Sequence, residues 1–66
     1  MGNKDDIASE LHTAFPDISE STFKDNINDK DKIVDLIHDK YNHVPGNTKD
    51  AIRKHIDDTF NMHGFA

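Results

Sequence analysis

The chain has no cysteine and no tryptophan, only two prolines and three glycines, and a single arginine beside seven lysines. Without cysteine, neither a disulfide nor a thiolate zinc site can staple the fold. No apolar run approaches the roughly 18–20 residues that a bilayer-spanning helix needs, so no membrane segment is expected. No basic-then-apolar stretch of a secretory signal stands among the first residues. Gly2 follows Met1, but Asp6 occupies the place where a myristoylation signal has Ser or Thr. The expected compartment is the cytoplasm.

What is present is a chain of 66 residues, near the lower limit for folding without a staple, and we read it as one domain over 1–66. The core must come from aliphatic and aromatic side chains between Ile7 and Phe65. Area-minus-entropy accounting for so small a domain leaves roughly 3–5 kcal/mol, so a partner or a homodimer would add materially to stability. The formal charge is −5, with eleven aspartates against two glutamates. Aspartate is poor inside helices and good at their caps and first turns. An acidic surface also argues against a non-specific grip on nucleic acid, because phosphate contacts need Lys and Arg.

Four segments carry helical periodicity and none alternates like a strand. Ile7, Leu11 and Ala14 mark a first helix from about Lys4 to Ala14, with Asn3 as its cap and Pro16 as its stop. Ser19 caps a short second helix, Glu20 to about Asn26, and Ile18 with Phe23 has the spacing of a hydrophobic staple. Asn28 or Asp29 caps a third helix over Lys30–Tyr41. Its broad apolar face (Ile33, Val34, Leu36, Ile37, Tyr41) reads as the strongest amphipathic pattern in the chain. Asn42 is expected to turn left-handed at its end, followed by a turn at Val44-Pro45-Gly46. Asn47 with Asp50 reads as a capping box for a fourth helix, whose buried stripe is Ile52, Ile56 and Phe60 with His55 and Thr59 at its edge. Gly64 ends it, leaving Phe65 to fold back or fray. Joints of about two to six residues complete an all-α bundle of three to four short helices.

Candidate chemistry is sparse. Zinc prefers histidines at i, i+4 on one helix face, and no two of His12, His38, His43, His55 and His63 have that spacing. Asp39–His43 and Asp35–His38 are ordinary surface spacings. Asn26 to Asp31 resembles a calcium loop only superficially: Asp31 falls where Gly belongs and Ile37 where Glu belongs. There is no Cys nucleophile, no Gly-x-Ser-x-Gly elbow and no phosphate-cradling loop. We therefore expect no enzymatic activity, no cofactor and no metal. Helices two and three could be drawn as a helix-turn-helix, yet the reading helix mixes Asp31, Asp35 and Asp39 with Lys30, Lys32 and Lys40. The best basic patch is Lys49, Arg53 and Lys54 on helix four, small for strong phosphate binding unless a dimer doubles it.

The stretch Leu11-His12-Thr13-Ala14-Phe15-Pro16-Asp17-Ile18-Ser19 resembles the opening of CUE domains, ubiquitin-binding relatives of UBA domains. A Phe-Pro pair after the first helix, a short capped second helix and an apolar pair on the third, here Leu36-Ile37, follow in the family's order. The resemblance covers about residues 5–42. It implies a compact three-helix fold docking on the apolar patch of ubiquitin, with Ala14, Phe15 and Pro16 on one side and Leu36 and Ile37 on the other. Ala14 stands where the family usually has Met, the interval from Pro16 to Leu36 is about four residues shorter, and the fourth helix lies outside the pattern. The overall expectation is a small acidic module that binds a partner protein. Its rival is a DNA-binding or transcription-control protein using Lys49, Arg53 and Lys54.

Overall fold

The computed structural model describes residues 3–64. Gly2, the residue that bears on lipidation, and Phe65, expected to fold back or fray, lie outside the described residues. Among the described residues there are four helices and no strand: α1 (Asn3–Ala14), α2 (Glu20–Asp25), α3 (Lys30–Tyr41) and α4 (Lys49–Met62). The all-α expectation holds, and helix three has the expected limits. Asn3 stands inside the first turn of α1 and not before it.

Each helix end follows from local chemistry. The Phe15 N–H still reaches the Leu11 carbonyl at 2.8 Å, after which Pro16 ends α1. Ser19 Oγ accepts the Thr22 N–H at 3.2 Å to start α2. Asp29 Oδ1 accepts the Lys32 N–H at 3.1 Å to start α3. Both are ordinary N-caps that satisfy an otherwise orphaned amide. For α4 the cap is Thr48, whose Oγ1 accepts the Ala51 N–H at 3.1 Å. Asn47, the expected cap, instead donates from Nδ2 to the Tyr41 carbonyl at 3.3 Å. The last joint is therefore residues 42–48, longer than foreseen.

Asn42 has φ −65° and ψ −18°, so it continues right-handed and makes no left-handed cap. The reversal is made by Gly46 at φ 88°, in a turn where the Asn47 N–H bonds the Val44 carbonyl at 3.1 Å. Proline second and glycine third suit a turn that needs a positive φ at its third residue. Gly64, at φ 70°, follows α4 in the same way.

The helices form two pairs. α1 packs on α2, α3 packs on α4, and α1 also meets α4, which joins the pairs. The shared core is Ile7, Ala8 and Leu11 from α1; Ile18, Phe23 and Ile27 around α2; Ile33, Val34 and Ile37 from α3; and Ile52, Ile56 and Phe60 from α4. Ile18 and Phe23 are both in it, as the staple spacing requires. α4, not α3, is the more sharply amphipathic helix. Its extra core-facing residue is Thr59, which is buried and whose hydroxyl donates to the His55 carbonyl at 2.9 Å. The Cα radius of gyration is 10.9 Å, beside about 10.8 Å for a folded chain of this length.

Candidate functional site

The turn after α1 is held from several directions. The Phe15 carbonyl accepts the Ile18 N–H at 3.1 Å. The Ile18 carbonyl accepts His12 Nδ1–H at 2.7 Å, which fixes the tautomer of a neutral His12. From the other helix pair, the Tyr41 hydroxyl accepts the Asp17 N–H at 3.0 Å. The Phe15 ring is half-buried and lies edge-on to two neighbours: Tyr41 at 5.1 Å between centroids and His55 at 5.7 Å. Edge-to-face rings at these separations attract beyond their buried area. Phe15 is thus held in one orientation where α1, α3 and α4 meet, with exposed Ala14 and Pro16 on either side of it in sequence.

The other residues assigned to this surface are divided. Leu36 is half-buried and packs against the core. Ile37 is fully buried, so the Leu36-Ile37 pair offers one side chain and not two. Tyr41, which helical spacing puts on the apolar face of α3, and His55, which it puts at the edge of the α4 stripe, both belong to the site. Spacing within one helix cannot show which residue of another helix stacks on it.

The basic patch of α4 has a different environment. Lys49 pairs with Asp35 at 3.1 Å, Arg53 pairs with Asp31, and Lys54 pairs with Asp58 at 3.6 Å one turn along its own helix. Lys30 adds a further tie between α3 and α4, bonding Asp57 at 3.2 Å with its ammonium 4.9 Å above the Phe60 ring. Three pairs therefore run down the α3–α4 seam in antiparallel register: 30 with 57, 31 with 53, 35 with 49. Each is partly exposed and individually weak. Their joint effect is to turn Asp31 and Asp35 toward α4, beside Arg53 and Lys49, while Lys54 has Asp58 of its own helix.

The Asn26–Asp31 stretch is used for structure. Asn26 Nδ2 donates to the Thr22 carbonyl at 2.9 Å, Asp29 caps α3, and Lys30 and Asp31 enter the seam. Among the described residues, no three His, Cys, Asp or Glu side chains converge as a metal ion would require. His38 is half-buried and His43 exposed. His63 Nε2–H donates to Glu10 Oε1 at 2.8 Å, linking the end of α4 to α1.

A further ionic tie joins α1 to α2: Lys24 Nζ lies 2.6 Å from Asp5 Oδ1. The hydrogen bond from Lys24, then its charge, holds the Asp5 carboxyl below its ordinary value. The same bond, then the Asp5 charge, lifts the Lys24 ammonium above its own, with lesser help from Glu20 and Asp25. No described helix is long and apolar enough to cross a membrane. No protein-family model, no curated protein and no solved structure matches this chain.

Proposed function

We propose that this chain is a small acidic, non-catalytic module of the cytoplasm that acts by occupying the surface of a partner protein. The observation that carries this reading is the fixed, half-exposed ring of Phe15. A side chain already held by Tyr41 and His55 loses little further freedom when a partner covers it. Ala14 and Pro16 are small or rigid neighbours that let a partner approach closely, and half-buried Leu36 is the further apolar contact that the CUE-like order implies. The CUE-like order of residues 5–42 makes ubiquitin the first partner to test.

The test is titration of isotope-labelled protein with ubiquitin, and in parallel recovery of partners from lysate on immobilised protein. Shifts or capture that involve Ala14, Phe15 and Leu36 support the reading when Ala14→Arg abolishes them; that exposed substitution leaves the core intact. A monomer that enriches nothing at low salt and shows no shifts would count decisively against it.

A DNA-binding or transcription-control role through Lys49, Arg53 and Lys54 has less support. Each cation already has a carboxylate beside it, so a phosphate must compete with Asp35, Asp31 or Asp58. Salt-dependent duplex binding lost on replacing the three with Ala would reinstate that role.

A further inference from the structure

The joint between α2 and α3 is Asn26-Ile27-Asn28-Asp29, with neither glycine nor proline in it. No residue of the joint has a positive φ. Its amides keep to tightened helical turns: Asn26 N–H bonds the Phe23 carbonyl at 3.2 Å, Ile27 N–H that of Lys24 at 3.3 Å, and Asp29 N–H that of Asn26 at 2.9 Å. The chain leaves helical geometry at Asp29, whose φ of −131° and ψ of 84° redirect it into α3. One exposed residue therefore separates the two helices from a single one.

The side chains across the joint suit that single helix. Phe23, Ile27, Lys30, Val34, Ile37 and Tyr41 follow one another at alternating steps of four and three, the spacing of one face of a continuous helix. Phe23, Ile27, Val34 and Ile37 are buried, Tyr41 is half-buried, and Lys30 lies over the Phe60 ring. The packed pairs are α1 with α2, α3 with α4, and α1 with α4, so the joint can straighten without breaking either hairpin. We infer that two copies of this chain exchange their α1–α2 pairs, with residues 20–41 of each running on as one helix about 33 Å long.

The second copy is the occupant because the complementary face already exists in the closed chain. There the α1–α2 pair docks on α3–α4 through Phe15 on Tyr41 and His55, the Asp17–Tyr41 bond and the Glu10–His63 contact. In the exchanged dimer the same contacts form between copies, and each Phe15 ring rests on Tyr41 and His55 of the second copy. Only the joint changes. Fusion loses the Asp29 cap on the Lys32 N–H and gives helical partners to the last carbonyls of α2 and the first amides of α3. Association also costs the freedom of one molecule, so concentration sets the balance.

The experiment mixes isotope-labelled and unlabelled wild-type chains in urea, refolds them together at millimolar concentration and separates the products by size. In the dimer, NOEs filtered for contacts between labelled and unlabelled chains must join the Phe15 and Tyr41 rings. Two substitutions at exposed residues move the equilibrium in opposite directions. Asp29→Ala removes a cap that only the closed chain uses, and with two joints per dimer it should raise the association constant about tenfold or more. Asn28→Gly disfavours the continuous helix and should lower that constant about threefold. A chain that stays monomeric after refolding overturns the inference, and so does a dimer whose Phe15–Tyr41 NOEs all lie within one copy. The wild-type NOEs decide the matter even where Asp29→Ala unfolds.

Discussion

The hydroxyl of Tyr41, the last residue of α3, accepts the backbone N–H of Asp17 at 3.0 Å. The bond reaches from the second helix pair to the turn that closes the first. Below it, the Tyr41 ring stands at 62° to Phe15, so one side chain ties down both the backbone and the aromatic ring of the candidate docking turn. Fold and site meet at that residue. A change at Tyr41 that leaves the core alone should alter the order of residues 15–18 before it alters anything else.

Removing the hydroxyl separates those two contributions. Tyr41→Phe loses one hydrogen bond but keeps the edge-on ring contact, and should cost about 0.5–1.5 kcal/mol. Tyr41→Ala loses both, at about 2–4 kcal/mol, which approaches the whole stability of so small a domain. Urea midpoints of the two variants check the order. Equal losses would mean that the hydroxyl carries the whole effect and the ring none.

Leu36 and Ile37 are neighbours in sequence with opposite roles. Ile37 is fully buried, so Ile37→Ala should cost about 2–5 kcal/mol. Leu36 is half-buried, and Leu36→Ala should cost nearer to about 1 kcal/mol. Any loss of partner binding from Leu36→Ala in a folded variant then reports the surface. A loss from Ile37→Ala reports unfolding. Circular dichroism alongside the binding assay distinguishes them.

The helices were legible because each carries its own signals: Ser19 at one N-cap and Asn28 or Asp29 at another, Pro16 at an end, and apolar residues at i, i+3 and i+4 in α3. The buried stripe of α4 was legible for the same reason. What could not be read was anything joining residues far apart in the chain. Phe15 on His55, Glu10 on His63, and the seam that pairs Asp31 with Arg53 and Asp35 with Lys49 depend on how the helices face each other. Spacing along one helix holds no such information, so the α4 cations read as a free basic patch. Near misses at single residues have a smaller cause. Asn47 and Thr48 are both good capping residues, and Asn42 and Gly46 both tolerate a turn; the choice between them fell to the packing of the joint.

The cap of α4 gives a local test of that choice. Thr48→Ala removes the acceptor for the Ala51 N–H and should cost about 1 kcal/mol. Asn47→Ala removes a 3.3 Å bond from a half-buried side chain to the Tyr41 carbonyl, at roughly half that cost. Thermal unfolding of the two variants should rank Thr48→Ala as the less stable. The reverse ranking would return the cap to Asn47.

The Asp5–Lys24 pair gives a pH dependence whose sign can be worked out from each partner. The Asp5 carboxyl is held below its ordinary value of 3.8, so its contribution is complete above that pH and is lost as the pH falls through the lower folded value. Lys24 is raised above 10.5, so its contribution is complete below that pH and is lost as the pH rises through the higher folded value. The stability gap between wild type and Asp5→Asn should therefore be level across the neutral range and should close on acidification below 3.8. Because both groups lie at the surface, the gap should be small and should shrink in high salt. Paired urea titrations at acid and neutral pH, at low and high salt, measure it. A gap that persists undiminished in acid would show that the Asp5 charge, and with it the Lys24 pair, is not what stabilises the fold.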